Sequence, residues 1–414
     1  MRIVQLGKYY PPAAGGIETY TRTLAHAEAE LGADVTVVAI NHLAADGRDA
    51  TFRAALRTPT VEEADGPVRV HRVGRLANVA RLDVAPGLAR LLRRLERDRP
   101  DVWHVHTPNP TMLLALAWNP GLRPLVVTHH ADVVRQRVLR HAMRPVERRV
   151  YARADALLAS SPPYVEGSAA LRRERARVSV VPFGIDLAPF AAVPPGDVAA
   201  VRARHPGPLW VAVGRLIYYK ALDVALRALR DVPGTLIVVG VGPMAAPWKR
   251  LAVELGVADR VVFRGAVPFG ELVVLYHAAT ALWFPSDARS EAFGIVQVEA
   301  MASGCPVINA QIARSGVPWV SRHEETGLTV PVDDAAALAA AARRLVEDPA
   351  LRARLSTAAR AAARARFDHR AMARRILDLY EGIVEGRRGR GAAAAARAPT
   401  LVEPPAPRAT SWDS

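Results

Sequence analysis

At 414 residues the chain exceeds one ordinary core and predicts two domains of under about 200 residues each. Half of its residues are apolar and 23% charged, a globular composition, and a single cysteine, Cys305, excludes a disulfide framework and fits a reducing compartment. The formal net charge of +15 suits nucleic acid, an anionic membrane face, a phosphorylated substrate or a solvated arginine-rich surface. Of these, nucleic acid is the poorest match, because zinc-ligand spacing, an RNA-binding aromatic pattern and a recognition helix are all missing.

The chain opens MRIVQLG, a strand-like pattern without the charged, apolar and small-residue order of a leader. No apolar run approaches the roughly 20 residues of a membrane span. A cytoplasmic protein is expected, at most peripheral at the inner face of the cell membrane. Short Val/Ile/Leu-rich runs follow at residues 2–7, 34–40, 68–73, 101–106, 124–129, 155–159 and 178–182. A second series lies at 209–213, 235–240, 260–264, 280–284, 306–309 and 327–330. Apolar on both faces and alternating with helical stretches, such strands belong in parallel sheets covered by helices. Two series in tandem predict an α/β protein of two doubly wound parallel-sheet domains, joined near Pro182–Pro195. The domains are placed at 1–185 and 186–386, the second ending in an alanine-rich helical region over 334–386. Residues 387–414, rich in Ala, Pro, Arg and Gly, have too few large apolar side chains to pack and are expected to be disordered.

The strongest chemical signal is SEAFGIVQVE at 290–299, after the strand TALWF. Glu291 falls in the loop, a helix is predicted to begin near Phe293 or Gly294, and Glu299 lies over a turn into it. Unpaired N–H groups and the positive end of a helix dipole suit a phosphate or a hydroxyl-rich sugar. The plainer alternative is one capping glutamate and one solvated one. Gly214-Arg215-Leu-Ile-Tyr-Tyr-Lys220 follows the first strand of the second series. There a planar arginine fork and a lysine point charge can converge on a diphosphate and neutralise it as it leaves. Gly15 and Gly16, after the first strand of all, allow close backbone approach to an anion. In Thr128-His-His130-Ala-Asp132, His130 is placed to reach a sugar hydroxyl or phosphate, although which of the two adjacent histidines faces inward stays open. Gly240-Val-Gly242-Pro-Met-Ala245 imitates a dinucleotide fingerprint, but the next strand ends Arg264-Gly265, without the ribose-binding acid.

Together these residues, with Val180-Val-Pro-Phe-Gly-Ile-Asp186 and the seven residues separating Glu291 from Glu299, resemble family 4 of the retaining glycosyltransferases. The resemblance covers about residues 1–386 and departs at Ala221, where the family usually carries glycine after the lysine. It implies the GT-B fold, two Rossmann-like domains facing across a cleft, and transfer of a hexose from a nucleotide diphosphate sugar without metal or other cofactor. Arg215 and Lys220, after Gly214, are implied to hold the donor diphosphate. Glu291 and the backbone of Phe293, Gly294 and Ile295 would bind sugar hydroxyls, and Glu299 the ribose. Gly15 and Gly16 would approach the phosphates, and His130 the transferred sugar. Within the family the chain looks most like bacterial mannosyl- or rhamnosyltransferases of surface polysaccharide synthesis. That favours GDP-mannose as donor and a lipid-diphosphate-linked or glycan acceptor. A UDP-sugar transferase, a nucleotide-sugar epimerase or phosphorylase, and a silent nucleotide-sugar-binding subunit are the alternatives. Residues 135–153 carry seven arginines among Val, Leu, Met and Tyr, and 88–99 are similar; each could rest on an anionic leaflet or be an ordinary amphipathic helix.

Overall fold

The computed structural model describes residues 1–389 except 14, 50, 52, 80–81 and 133–136. The first half contributes strands β1 (Arg2–Leu6), β2 (Asp34–Ile40), β3 (Val61–Asp65), β4 (Val68–Val73), β5 (Ala77–Val79), β6 (Leu82–Val84), β7 (Val102–Thr107), β8 (Leu125–His129), β9 (Ala156–Ala159) and β10 (Val178–Val180). The second contributes β11 (Leu209–Val213), β12 (Thr235–Val239), β13 (Val261–Gly265), β14 (Ala281–Phe284), β15 (Val307–Ala310) and β16 (Gly327–Val330).

Eight strands form one sheet in the order β10-β9-β8-β7-β1-β2-β4-β3, parallel except at the β3–β4 edge. Six form the other, β13-β12-β11-β14-β15-β16, parallel throughout. β5 and β6 pair as a separate antiparallel ribbon. The central strands bury nearly every residue, as strands covered by helices on both faces must. In each sheet the strand order reverses beside the first strand, at β1/β7 and at β11/β14. Ligands of such sheets sit in the crevice at that reversal, beyond the carboxyl ends of the strands.

On one face of the second sheet Trp210 and Trp283 stack with ring centres 4.9 Å apart, over Leu222, Leu226 and Leu338. The apolar cluster on its other face runs without a break into the first sheet's helices, through Phe293, Phe183, Tyr20 and Tyr380. The helical region ends in three helices, Ala335–Glu347, Pro349–Arg366 and His369–Gly389. The last returns to the first sheet, packing on helix Gly16–Glu30. Its start lies against the interdomain connector, where Ile185 N–H donates to Phe367 O at 2.9 Å and His369 N–H to Ile185 O at 3.1 Å. A Cβ on Gly184 would sit 2.7 Å from Asp368 O, so the glycine of the 180–186 motif lets the two chain crossings run side by side. The final helix continues through Gly389, three residues into the stretch expected to be disordered; 390–414 lie outside the described residues.

Candidate active site

The loop after β11 opens at Gly214, with φ +142°, where a Cβ would press on Lys220 Cε at 3.2 Å. It closes in a short turn, Tyr218–Lys220, followed by Ala221 in the left-handed region at φ +46°. That conformation favours glycine and explains why the resembling family carries glycine at this point. Two further glycines close the loop from behind. A Cβ on Gly240 would meet Gly214 O at 1.9 Å, and one on Gly242 would meet Leu216 O at 2.3 Å. The G-x-G pattern after β12 is therefore a backbone-packing device rather than a dinucleotide cradle.

This loop aims Lys220 at the loop after β14. Its ammonium pairs with the Glu291 carboxylate and lies 4.7 Å from the centre of the Phe284 ring. Ser286 Oγ donates to the same carboxylate oxygen at 3.4 Å. Gly294 takes φ +76° to turn the chain into helix Ile295–Ala302, and a Cβ there would be 2.8 Å from Phe284. Inside the helix Glu299 accepts the Tyr276 hydroxyl at 2.8 Å; burial pushes its carboxyl up, and the tyrosine opposes the shift. Burial pushes the Tyr219 phenol up to about 12; the Glu291 carboxylate adds to the shift and the Arg215 charge opposes it.

The first domain meets this surface at helix Gly16–Glu30. The absent Cβ of Gly16 faces Ile295 Cδ1 at 3.7 Å. A Cβ on Gly15 would lie 2.1 Å from Glu18 Oε2, which folds back over the helix start. Burial raises the Glu18 carboxyl, and the positive charges of Arg215 and Lys8 offset part of that. Gly16 and Ile295 thus face each other across the cleft.

Of the two adjacent histidines, His130 faces the second domain's apolar cluster. Its ring lies 4.8 Å from Tyr20 and 4.9 Å from Phe183, which in turn lies 5.0 Å from Phe293. His129 points instead to Tyr151 and Asp132. Behind His130 runs a buried polar chain absent from the sequence expectations. His130 Nε2 meets His106 Nδ1 at 3.1 Å, His106 Nε2 meets Gln5 Oε1 at 2.8 Å, and Gln5 Nε2 donates to Glu28 at 2.7 Å. The Tyr380 hydroxyl joins Glu28 at 3.2 Å to His104 Nδ1 at 2.5 Å, and His104 Nε2 ends on Thr128 Oγ1 at 2.6 Å. Burial holds every one of these histidines neutral, His106 at about 3 and His104 and His130 well below the usual imidazole range. It pushes Glu28 up to about 8. With Glu28 protonated, every proton has one acceptor along the chain, and His130 donates from Nε2 into His106. The readable signal was the alternation His104-x-His106 on a buried strand beside the sheet's reversal.

The basic stretches divide in the same way. Helix Gly87–Arg97 buries Leu88, Leu92 and Leu95 and turns its arginines outward, and is an ordinary amphipathic helix. Helix Arg137–Arg153 buries Val150 and Tyr151 and exposes Arg144, Arg148 and Arg149; positions 135–136 lie outside the described residues.

Known proteins match both halves of this chain. The family model for the glycosyl transferase 4-like domain matches residues 15–184, and that for glycosyl transferases group 1 matches 198–362. The chain is 32% identical to D-rhamnosyltransferase WbpZ of Pseudomonas aeruginosa, over 84% of this chain and 87% of that one. It is 30% identical to O-antigen chain mannosyltransferase C of Escherichia coli, over 83% and 88%. The solved sucrose-phosphate synthase of Thermosynechococcus elongatus superimposes with a TM-score of 0.77 at 25% identity, covering 93% of this chain and 99% of that one. With two doubly wound, mainly parallel sheets and both halves matched, this chain belongs to the family 4 glycosyltransferases of the GT-B fold.

Proposed function

We propose that this glycosyltransferase moves a hexose from a nucleotide diphosphate sugar, with GDP-mannose as favoured donor, to a lipid-diphosphate-linked or glycan acceptor, retaining the anomeric configuration without a metal ion. The Lys220–Glu291 pair beyond the ends of β11 and β14, in the same loop-and-helix segment whose Ile295 faces Gly16, carries this reading. A donor laid across it places its diphosphate on Arg215 and Lys220, cations that stabilise the departing nucleoside diphosphate as a metal would. Freed from Lys220 by the phosphates, the Glu291 carboxylate accepts sugar hydroxyls, with the start of helix Ile295–Ala302 beside it. Glu299 takes the ribose. His130, held neutral, contacts the sugar as a hydrogen-bonding group and not as a cation. No carboxylate pair with the spacing of a double-displacement hydrolase is invoked. The acceptor hydroxyl instead gives its proton to the leaving phosphate oxygen on the face where it attacks, so the C–O bond forms as the sugar–phosphate bond breaks. The mannosyl and rhamnosyl relatives support a mannose-type sugar and a surface-polysaccharide acceptor.

The test incubates the full chain with a panel of GDP- and UDP-sugars in EDTA, with and without a lipid-diphosphate-linked acceptor extract, and measures nucleoside diphosphate release. Acceptor-dependent GDP release from GDP-mannose is expected. Losing a preorganised charge at the reacting phosphate costs on the order of 100-fold in kcat, so Lys220→Ala and Glu291→Ala should abolish most of it. Release from a UDP-sugar alone keeps the reaction and replaces the donor. Tight donor binding without release under any condition turns the protein into a binding subunit.

A further inference from the structure

Asp132 follows His130 by two residues, and Arg289 precedes Glu291 by two. Their side chains form an ion pair across the cleft. The seat for Arg289 on the first domain is built from several elements. Asp132 Oδ1 is held by Ser168 Oγ at 2.8 Å and by His129 Nε2 at 3.1 Å, leaving Oδ2 for the guanidinium. The Asp132 N–H donates to the Tyr164 hydroxyl at 2.7 Å, and the guanidinium lies over the same tyrosine ring, 4.7 Å from its centre. A Cβ on Gly167 would lie 2.5 Å from Arg289 Nη1, so a larger residue there would close the seat.

The contact is poorly designed as a stabiliser. A partly exposed ion pair contributes little. Arg289 Nη1 is buried without a hydrogen-bond partner, a cost larger than such a pair returns. Burial and the neighbouring Arg314 both act against the Arg289 charge. What the contact does provide is registration: it joins the loop that carries His130 to the loop that carries Glu291.

We propose that Asp132 and Arg289 are a positioning pair that sets His130 against Glu291 when the two domains close on the donor. The proposal rests on the glycosyl-transfer reading, since its consequence is the alignment of groups that grip one donor from both sides. The pair acts through the two loops it joins rather than on the reacting atoms.

The experiment uses the purified full chain and a donor it turns over, and compares Arg289→Gln, Arg289→Lys, Asp132→Asn and the double variant D132N/R289Q. Nucleoside diphosphate affinity is measured by calorimetry, kcat and KM by product release, and the radius of gyration by small-angle scattering with and without GDP or UDP. Misplacing reacting groups by about 1 Å costs on the order of 100-fold, so R289Q and D132N should each lower kcat by about 10- to 100-fold. Nucleoside diphosphate Kd should change far less than kcat, because Arg215, Lys220 and Glu299 of the second domain supply most of the proposed nucleotide contacts. R289K should recover part of kcat, and the double variant should be no slower than the worse single one, the signature of a shared interaction. A kcat for R289Q within about twofold of the parent, or losses that multiply in the double variant, overturns the pair. If the parent protein releases no nucleotide from any donor, the transfer reading fails by itself. Scattering then decides the pair. A larger nucleotide-bound radius in both single variants than in the parent supports it, and equal radii overturn it.

Discussion

Gly294 carries two independent constraints, a left-handed φ of +76° and the face of Phe284 where its side chain would go. Adding one methyl costs about 1–2 kcal/mol for the backbone and about 1–3 kcal/mol for overpacking. Gly294→Ala should therefore lower stability by roughly 2–5 kcal/mol in urea melts and weaken donor binding with it. An unchanged midpoint would show that Phe284 moves freely. Glu28 gives a prediction in pH. Its folded pKa, about 8, lies above its ordinary 4.5, so between those values the unfolded chain has lost a proton that the folded chain keeps. Its contribution is complete below 4.5 and is lost as pH rises to 8, by at most about 1.4 kcal/mol per pH unit. The buried histidines act oppositely, costing stability as pH falls below 6.5. Glu28→Gln mimics the protonated carboxyl toward Gln5 and Tyr380, so its stability relative to the parent should grow across pH 4.5–8; a pH-independent difference would refute the protonated state. At this scale the sequence showed Lys220 and Glu291 because each closes a loop at a strand end. It hid Gln5, Glu28 and His106, because their hydrogen bonds join β1, β7 and a helix far apart in the chain.

Elements that bury both faces were legible, and those that do not were missed. The β11 run LWVAV is apolar throughout and its bounds match the expectation. The β3 run VEEAD is almost wholly exposed and pairs only at the sheet's edge, so nothing in its composition marks a strand. The final helix was visible as a helix, but its destination was not, since its apolar stripe fits either domain. Tyr380 shows what that destination does: its hydroxyl sits between Glu28 and His104, deep in the first domain. Tyr380→Phe keeps the packing and strands two buried polar groups, each costing about 1–3 kcal/mol. A loss in that range is expected by chemical denaturation, with a larger fall in kcat than any change in nucleoside diphosphate affinity. A loss under about 0.5 kcal/mol would mean that a water replaces the hydroxyl.

At the scale of the whole molecule, the tandem strand series was sufficient to foresee two doubly wound sheets, because parallel strands need helical crossovers and one core cannot hold so many. What composition could not assign is the excess positive charge. No helix among the described residues is long and apolar enough to cross a membrane. We propose that the charge acts at an anionic leaflet through helix Arg137–Arg153, whose Arg144, Arg148 and Arg149 are exposed while Val150 and Tyr151 pack inward. The helix follows β8, just after which His130 stands, so it starts at the cleft end of the sheet, the side from which the lipid-linked acceptor proposed above would come. Each arginine near an anionic surface contributes about 1 kcal/mol, so neutralising three weakens binding by roughly 100-fold, and reversing them weakens it further. The triple variant R144E/R148E/R149E should stop floating with vesicles containing anionic lipid, while the parent floats with them and not with neutral vesicles. Because these side chains face away from the sheet, the variant should still release nucleoside diphosphate with a water-soluble acceptor at the parent's rate. Flotation that is equal with and without anionic lipid leaves the charge as an ordinary solvated surface. Flotation lost together with soluble activity assigns the arginines to the acceptor's own diphosphate.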